Sequence, residues 1–166
     1  MKEMNKALLN KINSNKTEYE RLLKDSYYTN VRYNPKNGGL TAIHKEHHFD
    51  EKTGKYEKTV QDLFFKKGDL FTLESESSLI AGKKVDGKLN SFSHEISTII
   101  GTGDNAIKRA LNHSRQKQSD VAILYFPNKE TFNMNRLRDG IRKYNGQADY
   151  RFTHIVYIVD DKIYYY

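Results

Sequence analysis

Chemistry in this chain concentrates between Gly82 and Gln116, which reads G-K-K-V-D-G-K-L-N-S-F-S-H-E-I-S-T-I-I-G-T-G-D-N-A-I-K-R-A-L-N-H-S-R-Q. Asp86 and Glu95 flank Asp86-Gly87-Lys88-Leu89-Asn90. That segment predicts a tight polar turn between two strands, because Asp-Gly suits the positive φ of a type I′ hairpin turn. Strand pairing would then bring the two carboxylates together. Such a pair can hold a divalent ion such as Mg²⁺ that polarises a phosphate, Asp86 and Glu95 being its ligands. His94, beside Glu95, is of the type that accepts a proton near neutral pH. A plainer role for Asp86 and Glu95 is to hydrogen-bond turn amides and a nearby lysine.

Other residues could touch a phosphate. His44, His47 and His48 fall within five positions, a loop spacing too loose to define a metal site and better suited to lining a surface or contacting an anion. Gly101-Thr102-Gly103 before a helix offers backbone amides and a positive helix end. It lacks the lysine and second glycine of a P-loop, so a nucleotide triphosphatase is rejected.

The elements that must position these groups follow from periodicity. Residues 2–25 carry apolar positions three and four apart, interrupted by Asn13-Ser14-Asn15, giving one weak-centred helix or two. Asn34-Pro35-Lys36-Asn37-Gly38-Gly39 is a turn, followed by a strand at Leu40–His44. Residues 56–66 form a helix ended by Gly68. A strand starts at Leu70, with Phe71 and Leu73 on one face and Thr72, Glu74 and Glu76 on the other. A helix from about Asn105 to Lys117, with Asp104 as its cap, carries Lys108, Arg109, His113, Arg115 and Gln116 on its flanks and outer surface. Val121–Phe126 is apolar throughout, the mark of a strand buried on both faces. A helix over about 130–144 and a hairpin over 153–165 close the chain. The expected architecture is α+β: a mostly antiparallel central sheet of five to six strands, flanked by an N-terminal helical segment (1–33) and two to three further helices. Residues 34–166 form the core domain.

Composition narrows the function. The 166 residues contain no cysteine, which removes disulfides and thiol chemistry and fits a reducing compartment. No stretch approaches the roughly 18 apolar residues of a membrane span, and the N-terminus lacks a signal-peptide core, so a soluble cytoplasmic protein with no membrane partner is expected. Lys and Arg number 28 against 21 acids, for a net charge of +7, with twelve Tyr and no Trp. A basic, tyrosine-rich surface suits a polyanion with stacking faces, RNA or single-stranded DNA.

Several of these words and spacings occur together in a known family. Asn34–Gly39 followed by His44 and His47, then a helix, Glu76, Asp86–Asn90, Glu95-Ile96-Ser97, Gly101-Thr102 and the Asn105–Gln116 helix resemble the C-terminal tRNase domains of contact-dependent growth-inhibition toxins. Nuclease-like domains at the end of phage head-morphogenesis proteins share the arrangement. The resemblance covers about residues 34–166. It implies a small nuclease core cleaving RNA, with catalytic acids at Glu76, Asp86 and Glu95 and a lysine at the position filled here by Ser97. Serine carries no charge, so Lys83, Lys84, Lys88, Lys108 or Arg115 would have to replace it, or the domain is inactive.

Two functions follow. One is a ribonuclease acting on tRNA, using a divalent ion or, without metal, His94 or His44 as the base with a lysine or arginine steadying the phosphorane. Its substrate would be held by His44, His47, Lys83, Lys84, Lys88, Lys108, Arg115 and Gln116. The other is a nucleic-acid-binding or structural module of phage or mobile-element origin that has lost cleavage. A toxin implies an acidic immunity protein as partner and delivery to a target-cell cytoplasm; the phage likeness implies fusion to or association with phage structural proteins.

Overall fold

A computed structural model describes residues 5–77, 79–80 and 82–166. The chain opens with helix α1 (Lys6–Lys24), which runs unbroken through Asn13-Ser14-Asn15. Asn15 does not interrupt it because its side chain turns inward and donates to the Gly38 carbonyl, 2.7 Å away. Strand β1 (Tyr28–Tyr33) follows, so the segment ahead of residue 34 is not helical throughout. Next come β2 (Leu40–His44), α2 (Gly54–Lys67), β3 (Leu70–Leu73), β4 (Gly87–Leu89), β5 (Phe92–Thr98), α3 (Ala106–Gln116), β6 (Val121–Phe126), α4 (Met134–Gln147), β7 (His154–Val159) and β8 (Lys162–Tyr165).

The fold is α+β. Its one sheet has eight strands, more than the five to six expected, in the order of the chain from β1 to β8. Four of the adjacent pairs, β1–β2, β3–β4, β4–β5 and β7–β8, are antiparallel. The other three pairs, β2–β3, β5–β6 and β6–β7, are parallel. Each parallel pair is joined by a helix, since a parallel connection must cross back over the sheet.

Side-chain alternation divides the core. Val121, Ile123 and Tyr125 of β6, with Phe71 and Leu73 of β3, pack against Val60 and Phe64 of α2. Ala122, Leu124 and Phe126 face α3 and α4, where Ile107, Leu111, Leu137 and Ile141 meet them. Leu40, Ala42 and Leu70 pack against Leu22 of α1. All six residues of β6 are buried, as a strand covered on both faces requires. Gly68 ends α2 in the left-handed conformation, φ 95°. Asp160 and Asp161, φ 53° and 58°, turn the last hairpin.

One turn differs from expectation. Gly87 lies inside β4, and the reversal falls after Leu89, with Asn90 at φ 53°. Gly87 is required there by proximity: a Cβ would sit 1.8 Å from the Thr72 carbonyl oxygen and 2.6 Å from His94 Nε2. Asp86 still arrives opposite β5, because Gly87 pairs with His94. The expected cap Asp104 gives way to Asn105, whose side chain makes no capping bond. No helix among the described residues is long and apolar enough to cross a membrane.

Candidate functional site

The site arises from the shortness of β4. Along β5 it pairs only with Phe92–His94, so among the described residues β5 is held from Glu95 onward by β6 on one edge and by no strand on the other. Asp86 takes the missing strand's place: its Oδ2 accepts the Ile96 amide at 2.8 Å. In return the Asp86 amide donates to Glu95 Oε1 at 3.0 Å. The two acids are thus locked side by side, Glu95 only 3% exposed and Asp86 half-buried.

Around them opens a cleft of about 280 Å³. Helix α2 contributes Glu57, the segment after β3 contributes Glu76 and Lys84, and α3 with its C-cap contributes His113 and Lys117, four residues apart and so on the same side. His113 Nε2 lies 3.0 Å from Glu95 Oε2. Behind Glu57 the His47 side chain is only 3% exposed; its Nδ1 bonds the Glu74 carbonyl and its Nε2 stands 3.3 Å from Glu57 Oε1.

Electrostatics mark this cluster. Burial pushes the Glu95 carboxyl up, and the neighbouring Asp86 charge adds to it. Burial likewise raises Asp86, helped by Glu57. Against this, the Ile96 amide holds Asp86 down and Lys117 draws Glu95 down, without reversing either shift. Burial opposes charge on His47 too, but its bonds to Glu57 and the Glu74 carbonyl raise it overall. Burial and the Lys117 charge lower His113, which favours its neutral form.

Of the catalytic residues expected from sequence, Glu76, Asp86 and Glu95 line this one cleft. His94 does not reach it. Its ring is fully buried, stacked on Phe71 at 4.2 Å, and its Nε2 bonds the Thr72 carbonyl. Burial pushes it down to about 3, so it stays neutral.

Of the expected nucleic-acid contacts, only Lys84 lines the cleft. His44 stacks on Tyr27 and meets Tyr28 edge-on, and His47 is committed to Glu57 and Glu74. Lys83 is ion-paired with Asp120. Lys88 faces a separate, larger hollow of about 680 Å³ with Lys11, Asn15 and Glu18, which holds no acid pair. Arg115 bonds Asn112, and Lys108, Arg115 and Gln116 lie outside the cleft lining. Glu57, His113 and Lys117 are additions from the structure. The one sequence signal for the last two was their spacing on the outer surface of a short helix.

The Asp86–Glu95 pair, expected from sequence as the ligands of a divalent ion, already has partners of its own within the fold. Three of its four oxygens are engaged by Ile96, Asp86 and His113. Among the described residues no group of three or more His, Asp or Glu is arranged to hold a metal.

No family model matches the sequence, and no curated protein matches it. A solved structure does, a chain of the CdiA-CT/CdiI toxin and immunity complex from Burkholderia pseudomallei. The TM-score is 0.55 at 10% identity, covering 76% of this chain and 98% of that chain. The two chains share a fold. At that identity the likeness is one of architecture, and the chemistry must be argued from the cleft itself.

Proposed function

We propose that the protein is a ribonuclease toxin domain, with tRNA as its substrate. The observation that carries this reading is the Asp86–Glu95 pair in a cleft whose cations, Lys84 and Lys117, come from outside the sheet. A phosphodiester could lie against Lys84 and Lys117 with the acid-held His113 beneath it. Cations at that place favour the charge that builds on a phosphorane. The net charge of +7 supplies the long-range attraction for RNA. Ser97 leaves no cation on β5, and Lys117 supplies that charge from the C-terminal end of α3.

The likeness in fold to a chain of a toxin and immunity complex supports an immunity protein as partner, and an acidic one covering the cleft rim would both block substrate and match its charge. Action would then take place in the cytoplasm of a target cell. The test is incubation of purified protein with total tRNA. Discrete fragments that Glu95→Gln abolishes are expected. Intact tRNA at high protein concentration, with salt-sensitive binding retained, would instead identify a nucleic-acid-binding module.

A further inference from the structure

Helix α3 sets two polar groups against the carboxylate pair, and their geometry specifies more than a binding face. His113 Nε2 is 3.0 Å from Glu95 Oε2, so a proton carried on Nε2 faces that oxygen and Nδ1 is then the basic nitrogen of the ring. The His113 side chain is 54% exposed while Glu95 is 4% exposed, so the imidazole stands at the mouth and the acid behind it. Lys117, the C-cap of that helix and four residues further on, lines the same cleft. Glu95 Oε1 is meanwhile fixed by the Asp86 amide, which stops the acid from turning away from His113. A base oriented by a buried acid, with a cation beside it, is the arrangement proton transfer needs.

We propose that His113, oriented by Glu95, is the general base of this cleft, and that it acts on the ribose 2′-hydroxyl of RNA with Lys117 as its cationic partner. The inference rests on the ribonuclease reading and adds the reaction type. His113 Nδ1 takes the 2′-hydroxyl proton while the 2′-oxygen bonds to the adjacent phosphorus. The P–O5′ bond breaks, and the departing 5′-oxygen takes a proton from the Lys117 ammonium. His113 then releases its proton to solvent, and Lys117 regains one. No oxidant, metal or second substrate enters the balance. The nucleophile is already part of the substrate, so positioning alone supplies much of the rate. The products are a 2′,3′-cyclic phosphate and a 5′-hydroxyl. Glu95 is a positioning residue in this scheme, and His113 and Lys117 are catalytic residues.

The experiment is mass spectrometry of the fragments released from tRNA in EDTA by the wild-type protein, His113→Ala, and His113→Ala with added imidazole. Cyclic-phosphate ends are expected from the wild type. A loss of roughly 10²- to 10⁴-fold is expected in the variant, as for removal of a general base. Partial recovery with imidazole is the third expected result, and a merely structural histidine would not show it. Because His113 is half-exposed, circular dichroism of the variant should match the wild type. Fragments bearing 3′-hydroxyl and 5′-phosphate ends, or a His113→Ala protein cutting at the wild-type rate, would overturn the inference and leave the ribonuclease reading standing. Uncut tRNA with every protein and added Mg²⁺ would overturn both.

Discussion

Asp86 and Glu95 face each other through their backbone as well as their side chains: the Asp86 amide donates to Glu95 Oε1 at 3.0 Å while Asp86 Oδ2 accepts the amide of Ile96, the residue after Glu95. A strand edge that would otherwise lack partners is closed by a carboxylate, and the closing group is itself part of the cleft. Structure and site are therefore one feature here, with a cost that can be measured.

That cost predicts a stabilising substitution. Both acids titrate above their ordinary range, Glu95 through burial and the Asp86 charge. A raised carboxyl favours the folded state below its unfolded pKa, and this advantage is lost as pH rises through the folded value. Glu95→Gln keeps an acceptor for the Asp86 amide and removes the charge. It should stabilise the protein at pH 8 by about 1 kcal/mol, with the gap closing toward pH 4. Urea unfolding of both proteins at the two pH values measures it. A variant no more stable at pH 8 than at pH 4, relative to wild type, would contradict the raised carboxyl.

His94 has the opposite sign. Burial holds it down to about 3, so its neutral form stabilises the fold above the unfolded value of 6.5, and this is lost as pH falls. The expected loss is roughly 1.4 kcal/mol per pH unit between those limits. His94→Gln, which can still donate to the Thr72 carbonyl, should be less stable near pH 7 yet lose less on going to pH 4.5. Thermal unfolding across that range checks it; parallel curves for the two proteins would show that His94 is not the acid-labile group.

Gly87→Ala should be severe. The new Cβ would stand 1.8 Å from the Thr72 carbonyl oxygen, so β3 and β4 must separate. A loss of about 3 kcal/mol or more is expected, together with loss of the Asp86–Glu95 contact. Urea unfolding of the variant at wild-type stability would contradict the packing described for this strand pair.

Lys117 and Lys88 form a matched comparison. Lys117 lines the cleft, whereas Lys88 faces the hollow beside α1. Lys117→Met should lower the rate of tRNA cleavage by about 10²-fold, the scale of removing one charge-stabilising donor. Lys88→Met should leave the rate within a few fold. Single-turnover rates decide, and equal losses in the two variants would point to diffuse electrostatics in place of a localised site.

The sequence made the local elements legible and the convergence only in part. The apolar run Val121–Phe126, the Gly68 stop and the closing hairpin act through neighbours in the chain, and all lie where periodicity and turn chemistry put them. Strand β1 was not visible, because an irregularity between Thr29 and Arg32, with Asn30 at φ 51°, breaks the apolar–polar alternation of the half-exposed edge segment Y-T-N-V-R-Y. The Asp-Gly dipeptide suggested a turn; close approach of Thr72, a contact 15 residues away along the chain, places Gly87 in a strand. Asp86 and Glu95 could be paired from sequence because one hairpin joins them. Glu57, His113 and Lys117 come from helices on opposite faces of the sheet, and only the fold brings them to the same cleft. His94 looked chemical by type, but strand alternation turns it toward Phe71 and away from its neighbour Glu95.

The most direct measurement is the single-turnover cleavage of end-labelled tRNA by wild-type protein and by Glu95→Gln at equal concentration. Discrete fragments from the wild type, and a rate at least 10²-fold lower in a variant that remains folded, are the predicted result. Wild-type protein that leaves tRNA intact, or a variant that cuts as fast, would contradict the assignment of this carboxylate-backed cleft as the seat of cleavage.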